Sequence, residues 1–467
     1  MAQRKRLRLS SRTALLPKDA SLKAGSGYPF CTMKILILTA AFAGFALSLA
    51  AQQPSGPSVA PQGKPSVVVL HAARILDVAA GKVLSPGEVL VEGDRIAAAG
   101  ISVVHPQGAV LLDLGDTTLM PGLIDAHTHL FLHPGNEGLQ TVEESIPQRT
   151  LQAAAAAKAD VMAGFTAERD MGTEGAKCAD VAVRHAINTG LIPGPRMRVS
   201  CNAIDILGGH EDAIGFNPEQ HVLSNADYAN TAHQIVAVMR EQRKEGADFT
   251  KIYETGRDHL EGDTFTTPYQ YSESQLAAAV TEANRTGSFV AVHCTGEPAA
   301  SYAAQAGVAS IEHAYHLSAE TMRMMRSKQI YAVPTFTIME YFANHPPSGD
   351  GSVFRRELAY HVQQFHKQMA AGVPFVVGSD VGPFPHGTQA REFVLMVKYG
   401  MSPADVLRAD LINGARLLRW SDQIGQLKPG FFADIIAVPG DPLQDISGLM
   451  HPVFVMKNGQ ILRGAKE

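Results

Sequence analysis

Eight short apolar runs between residues 122 and 382 constrain the fold of this chain more than any other feature. They read GLIDAHTHL (122–130), GFTAERDMG (164–172), PRMRVSCNA (195–203), DFTKIYETG (248–256), SFVAVHCTG (288–296), VASIEHAYH (308–316), IYAVPTF (330–336) and PFVVGSDVG (374–382). Ala-rich or amphipathic stretches such as ESQLAAAVTEANRTG (273–287) separate most of them. Strands alternating with helices predict a parallel sheet with helical crossovers. Eight such units predict an α/β fold, the (β/α)8 TIM barrel. A chain of 467 residues has room for that barrel and an accessory domain.

The two ends read differently. Residues 66–100 and the C-terminal runs PVFVMKNGQILRG and GQLKPGFFADIIAV are short strands broken by Gly-containing turns. Together they predict one β-sandwich domain built from both termini, 67–118 and 424–467, around a barrel over 119–423. Before it, QQPSGPSVAPQGKPS is a Pro/Gly/Ser linker over 52–66. Residues 1–51 are expected to be a targeting segment: MKILILTAAFAGFALSLAAQQ from Met33 has a basic start, an apolar stretch too short for a comfortable span, and small residues at Ser48 and Ala50. This predicts export, periplasmic or secreted, with cleavage near Ala50 and no stable membrane anchor; the basic residues 1–32 read either as a very long leading region or as lying before a start at Met33, the favoured reading. Residues 1–50 carry 8 Lys and Arg and 1 Asp, which leaves 32 basic and 44 acidic residues and a formal charge of −12. That balance excludes a polyanion-binding role, so no nucleic-acid partner is expected. Cys31, Cys178, Cys201 and Cys294 lack metal-type or redox-type spacing, and no disulfide framework is expected.

Polar residues gather at the ends of the predicted strands, where barrel chemistry sits. His127 and His129 end the first strand, and alternation turns positions i and i+2 to one face. Lys251, His293, His313 and Asp380 hold comparable places in four other strands. Imidazoles with a carboxylate suit a divalent metal such as zinc. Two lone histidines would more often be turn or core residues; six metal-competent groups at five strand ends point to a site.

On these motifs (PGLIDAHTHL, TKIYETG, AVHCTG, IEHAYH, GSDVG and NGARLL with KPGFFADIIAV) the chain resembles the metal-dependent amidohydrolase superfamily. GGHED (208–212) and FPHG (384–387) are similar to loops of its imidazolonepropionase-like branch, which includes Xaa-Pro dipeptidases and ochratoxin-degrading enzymes. The resemblance implies two divalent metal ions, zinc by donor type. His127, His129 and Asp380 would hold one, His293 and His313 the other, and Lys251 would bridge them as a CO2-derived carbamate. It also implies a metal-activated water as nucleophile and Asp380 as the catalytic proton shuttle to the leaving amine. A homo-oligomer is expected on the same ground.

The substrate is expected to be a small-molecule amide, a dipeptide or N-acyl amino acid cut at its C-terminal residue, of which ochratoxin A is one type. Tyr253, two residues after Lys251, and His210 and His386 in Gly-containing loops are the expected substrate-binding residues. Arg169 reads as one half of a structural ion pair, and Met322, Met324 and Met325 as helix packing. A lactonase, an organophosphate hydrolase or a cyclic-amide hydrolase would use the same metal pair. A non-catalytic metal-binding protein would not need Asp380.

Overall fold

The computed structural model describes residues 67–464 apart from 213, 214, 218, 262, 263 and 348. The expected targeting segment and the whole linker lie outside these residues. Among the described residues no helix is long and apolar enough to cross a membrane.

Seven of the eight expected strands form where the apolar runs stand: Leu123–Thr128, Phe165–Asp170, Arg196–Val199, Thr250–Tyr253, Val290–Cys294, Ser310–His313 and Tyr331–Val333. Their paired neighbours run parallel. The helices between them start where sequence chemistry says they should. Ser145 caps Ile146–Met162 by accepting from the Gln148 amide, and Ser272 with Gln275 makes a capping box for Glu273–Arg285. Each helix buries one face, for example Leu276, Ala279, Val280 and Ala283.

The regular eight-stranded ladder is corrected in two places. The third expected strand is split. Arg196–Val199 pairs with the second strand, Cys201 takes a left-handed φ of 67°, and Ile204–Asp205 then pairs at Ile204 with Ile252 of the fourth. The eighth, around residues 374–381, is no regular strand. It makes only isolated bridges, Ala332 to Phe375 on one side and Thr128 to Val381 on the other. The parallel strands therefore lie in a three-stranded and a six-stranded sheet, with the 374–381 segment between their edges.

The two chain ends meet in another six-stranded sheet. Ile435–Pro439 pairs antiparallel with Thr117–Pro121, which pairs in turn with Arg74–Asp77. Phe454–Lys457 and Gln460–Arg463 extend it through a tight turn at Asn458 and Gly459, both at positive φ. A four-stranded sheet from residues 67–113 shares an apolar cluster with it that includes Val69's neighbours Val68 and Leu70, together with Ile435 and Phe454.

Cys178 and Cys201 form a disulfide, which corrects the expectation of none. They lie 23 residues apart in sequence. Cys178 precedes the helix Ala179–Asn188 and Cys201 follows the strand after it, so the chain returns to its starting level. Spacing in the sequence does not carry that return.

Gly378 sets how closely the eighth segment approaches the first strand. A Cβ there would meet Val333 Cγ1 at 2.5 Å, His127 Cβ at 2.9 Å and His127 N at 3.0 Å. Gly378→Ala is expected to lose about 1–3 kcal/mol of stability by overpacking, measured by urea unfolding.

Candidate active site

The strand ends open into a cavity of about 690 Å³ lined by His127, His129, Lys251, His293, His313 and Asp380, with Tyr253 and His210 beside them. Seven of these eight side chains stand at the ends of four parallel strands or in the 374–381 segment, and His210 stands in a loop. The residues expected as metal ligands thus share one site.

Alternation brings the first pair together: His127 Nε2 and His129 Nε2 stand 3.3 Å apart. Asp380 Oδ1 lies 3.5 Å from His127 Nε2 and 3.4 Å from His129 Nε2. It reaches them because Asp380 has a left-handed φ of 62° and its amide donates to the His127 carbonyl at 2.8 Å. No helix begins here, so Asp380 is not a cap. One donor atom each from His127, His313 and Asp380 fall within 4.8 Å of one another. The His293 ring sits 4.5 Å from that of His313.

The other ring nitrogens are held in place. His127 Nδ1 faces Glu312 Oε2 at 2.9 Å, His313 Nδ1 faces Thr335 Oγ1 at 2.8 Å, and His129 Nδ1 lies 3.2 Å from the Gly172 carbonyl. Each of these rings keeps its Nε2 toward the centre of the site or free for it, the arrangement that orients a metal-ligating imidazole. His293 Nε2 is buried with no partner. Burial holds the imidazoles of His127, His293 and His313 well below their ordinary pKa, which favours the neutral form that a metal requires. Burial pushes the Asp380 carboxyl up, against the pull of His129 and Lys251.

Lys251 is 1% exposed and makes no hydrogen bond or ion pair among the described residues. Its Nζ lies 5.1 Å from the Tyr253 ring centre. Burial lowers its pKa against the attraction of Glu312 and Asp380. Tyr253 donates to Glu174 Oε1 at 3.2 Å, and His210 stacks on it with ring centres 5.1 Å apart. His386 is not brought to the cavity. Its Nδ1 meets Asp160 Oδ2 at 2.7 Å, on the helix Ile146–Met162. Burial opposes its charged form, and the Asp160 carboxylate outweighs that.

Arg169 does form a structural ion pair: its guanidinium meets Glu312 Oε1 at 2.8 Å, with both side chains fully buried. Sequence reasoning found Arg169 and missed Glu312. Glu312 precedes His313 in the strand, where alternation would set the two on opposite faces. Both serve the site because His313 takes a left-handed φ of 69°. Glu137, Glu174 and Glu211 were also missed, since they stand in three separate connections with no shared spacing. The cavity walls contrast in character. Tyr315, Ile338, Met339, Phe342 and Phe354 form an apolar side, while Glu137, Glu211 and Asp212 form an acidic one.

Glu312→Gln would keep the shape and remove the charge that His127 and Arg169 both face. A loss of roughly 10–100-fold in divalent-metal affinity is expected, measured by competition with a chromogenic chelator.

The comparisons with known proteins agree with this geometry. The amidohydrolase family model matches residues 118–462. The chain is 27% identical over 455 residues to ochratoxinase of Aspergillus niger, covering 88% of this chain and 92% of that protein. It is 23% identical to imidazolonepropionase of a Geobacillus species, covering 87% and 95% respectively. A crystal structure of a Xaa-Pro dipeptidase with methionine bound in its active site superposes with a TM-score of 0.78 at 29% identity, covering 85% of this chain and all of that one. This chain belongs to the amidohydrolase family: it has the α/β amidohydrolase fold and is a hydrolase acting on amide bonds.

Proposed function

We propose that this protein removes the C-terminal amino acid from dipeptides or N-acyl amino acids, using two divalent metal ions, zinc by donor type. The observation that carries the reading is the convergence of His127, His129, His293, His313, Lys251 and Asp380 on one cavity wall. The similarity to a Xaa-Pro dipeptidase and to ochratoxinase supports the choice of bond.

The donor set fits such a metal pair. Neutral imidazoles with fixed Nδ1 partners, a buried unpartnered His293 Nε2 and an anionic Asp380 make a nitrogen and oxygen shell of the type zinc takes. His127, His129 and Asp380 would hold one ion, and His293 and His313 the other. Lys251 fits as a carbamate bridging them. A buried ammonium without hydrogen bonds is costly, and burial favours the free amine that reacts with CO2. When bound, the two ions would acidify a water and polarise the scissile carbonyl.

The chain supplies the rest of the chemistry. Asp380 stands where it can take the proton of the attacking water and return it to the leaving nitrogen. An amine leaves poorly without that proton. Tyr253 and His210 stand at the cavity where they can bind the carbonyl oxygen or the substrate carboxylate. His386, paired with Asp160, takes no substrate-binding role in this reading. Export after cleavage near Ala50, and assembly as a homo-oligomer, complete the proposal.

Amino-acid release from a panel of Xaa-Pro dipeptides, N-acyl phenylalanines including ochratoxin A, and N-acyl basic residues tests it. Asp380→Asn is expected to lower kcat/KM by about 10²–10⁴ on whichever substrate is cleaved. Metal bound without release from any of these would move the assignment to lactone, phosphoester or cyclic-amide substrates.

A further inference from the structure

Beside the histidines, three carboxylates meet, and among the described residues no Lys or Arg forms an ion pair with them. One oxygen each of Glu137, Glu174 and Glu211 lie within 4.8 Å of one another. Glu174 is fully buried, and its Oε2 has no hydrogen-bond partner. Glu137 and Glu211 face the cavity. Like charges this close repel, and each needs a counter-charge or a proton.

Arg149 and Lys251 attract these carboxylates without touching them, and Arg257 lines the same cavity. The contacts they do make with titratable side chains are His129 and Tyr253 on Glu174 and His210 on Glu211. The nearby Arg149 spends its donors elsewhere, on the carbonyls of Phe131, Thr173 and Glu174 and on the Thr141 hydroxyl. An acidic cluster with a buried unsatisfied oxygen, open to the cavity that holds the reacting groups, is built to receive a cation from outside.

We infer that Glu137, Glu174 and Glu211 form a subsite for the free α-ammonium group of a dipeptide substrate. This rests on the amide-hydrolase reading above and narrows it from N-acyl amino acids to substrates with an unblocked N-terminus. Position decides for the α-ammonium. Glu174 Oε1 lies 3.2 Å from His129 Nδ1 and accepts from Tyr253, so the subsite adjoins the groups expected around the scissile carbonyl. The α-nitrogen of a dipeptide sits on the carbon next to that carbonyl. A lysine or arginine side-chain cation hangs several methylenes farther out. An ammonium offers three donors to three carboxylates, whereas an acetylated nitrogen offers one donor and no charge.

The test uses the metal-loaded protein with alanyl-phenylalanine, alanyl-proline and alanyl-arginine, each with a free and an N-acetylated amino terminus. The free form is expected to exceed its acetylated partner in kcat/KM by roughly 10–100-fold, the worth of charge-assisted hydrogen bonds. Glu137→Gln and Glu211→Gln, made separately, are expected to shrink that ratio about tenfold while metal content per chain stays that of the parent. Equal or better cleavage of the acetylated forms overturns the subsite and leaves the amide hydrolase standing. A ratio unmoved by both variants overturns it too, as does loss of bound metal in them, which would make the trio a metal site. Cleavage of none of the six substrates overturns the dipeptide reading and the subsite with it. The comparison of free and acetylated substrates on the parent protein decides the question even where a variant does not fold.

Discussion

One buried carboxylate ties the site to the fold. Glu312 receives the Arg169 guanidinium on one oxygen and faces His127 Nδ1 with the other. Arg169 also donates to the Ala126 carbonyl and to the Ser310 hydroxyl. The first, second and sixth strands therefore meet at one charged point where no water reaches. Removing one partner of such a pair leaves an uncompensated charge, at a cost of roughly 3–5 kcal/mol. The same carboxylate fixes which nitrogen of His127 faces the cavity. Fold stability and ligand orientation rest on one group, so neither can change without the other.

The histidines of the first strand were legible because a strand alternates. His127 and His129 share a face and converge as a two-residue spacing requires. Arg169 was legible as an ion-pair partner, since a cation inside an apolar run needs a counter-charge. Legibility failed wherever the backbone leaves regular geometry. His313 and Asp380 are aimed by left-handed φ values that no local pattern announces. The third strand is broken at Cys201, which also sits left-handed and carries the unforeseen disulfide to Cys178. The eighth segment keeps its place between two strands with isolated bridges rather than a ladder. His386 looked like a loop residue available to a substrate, but a buried aspartate on the first long helix claims it. The acidic trio could not be read at all, because only folding brings its three connections together.

The cavity combines these parts into a selective surface. Its apolar side comes from the segment 336–358, which brings Ile338, Met339, Phe342 and Phe354 over the strand ends. Its acidic side comes from the connections after the first, second and third strands. The metal-ligand candidates stand between the two. A substrate with an apolar portion and a charged end can lie across them with its amide at the centre. Apolar burial then contributes affinity, and charge pairing contributes orientation.

The central claim is that six side chains from five places in the chain hold a pair of metal ions on which hydrolysis depends. Metal content by elemental analysis of the purified protein, with amide hydrolysis followed before and after chelator stripping, tests it most directly. The account predicts close to two divalent ions per chain, with activity lost on stripping and restored by zinc. One ion per chain, or hydrolysis that survives complete stripping, would contradict it.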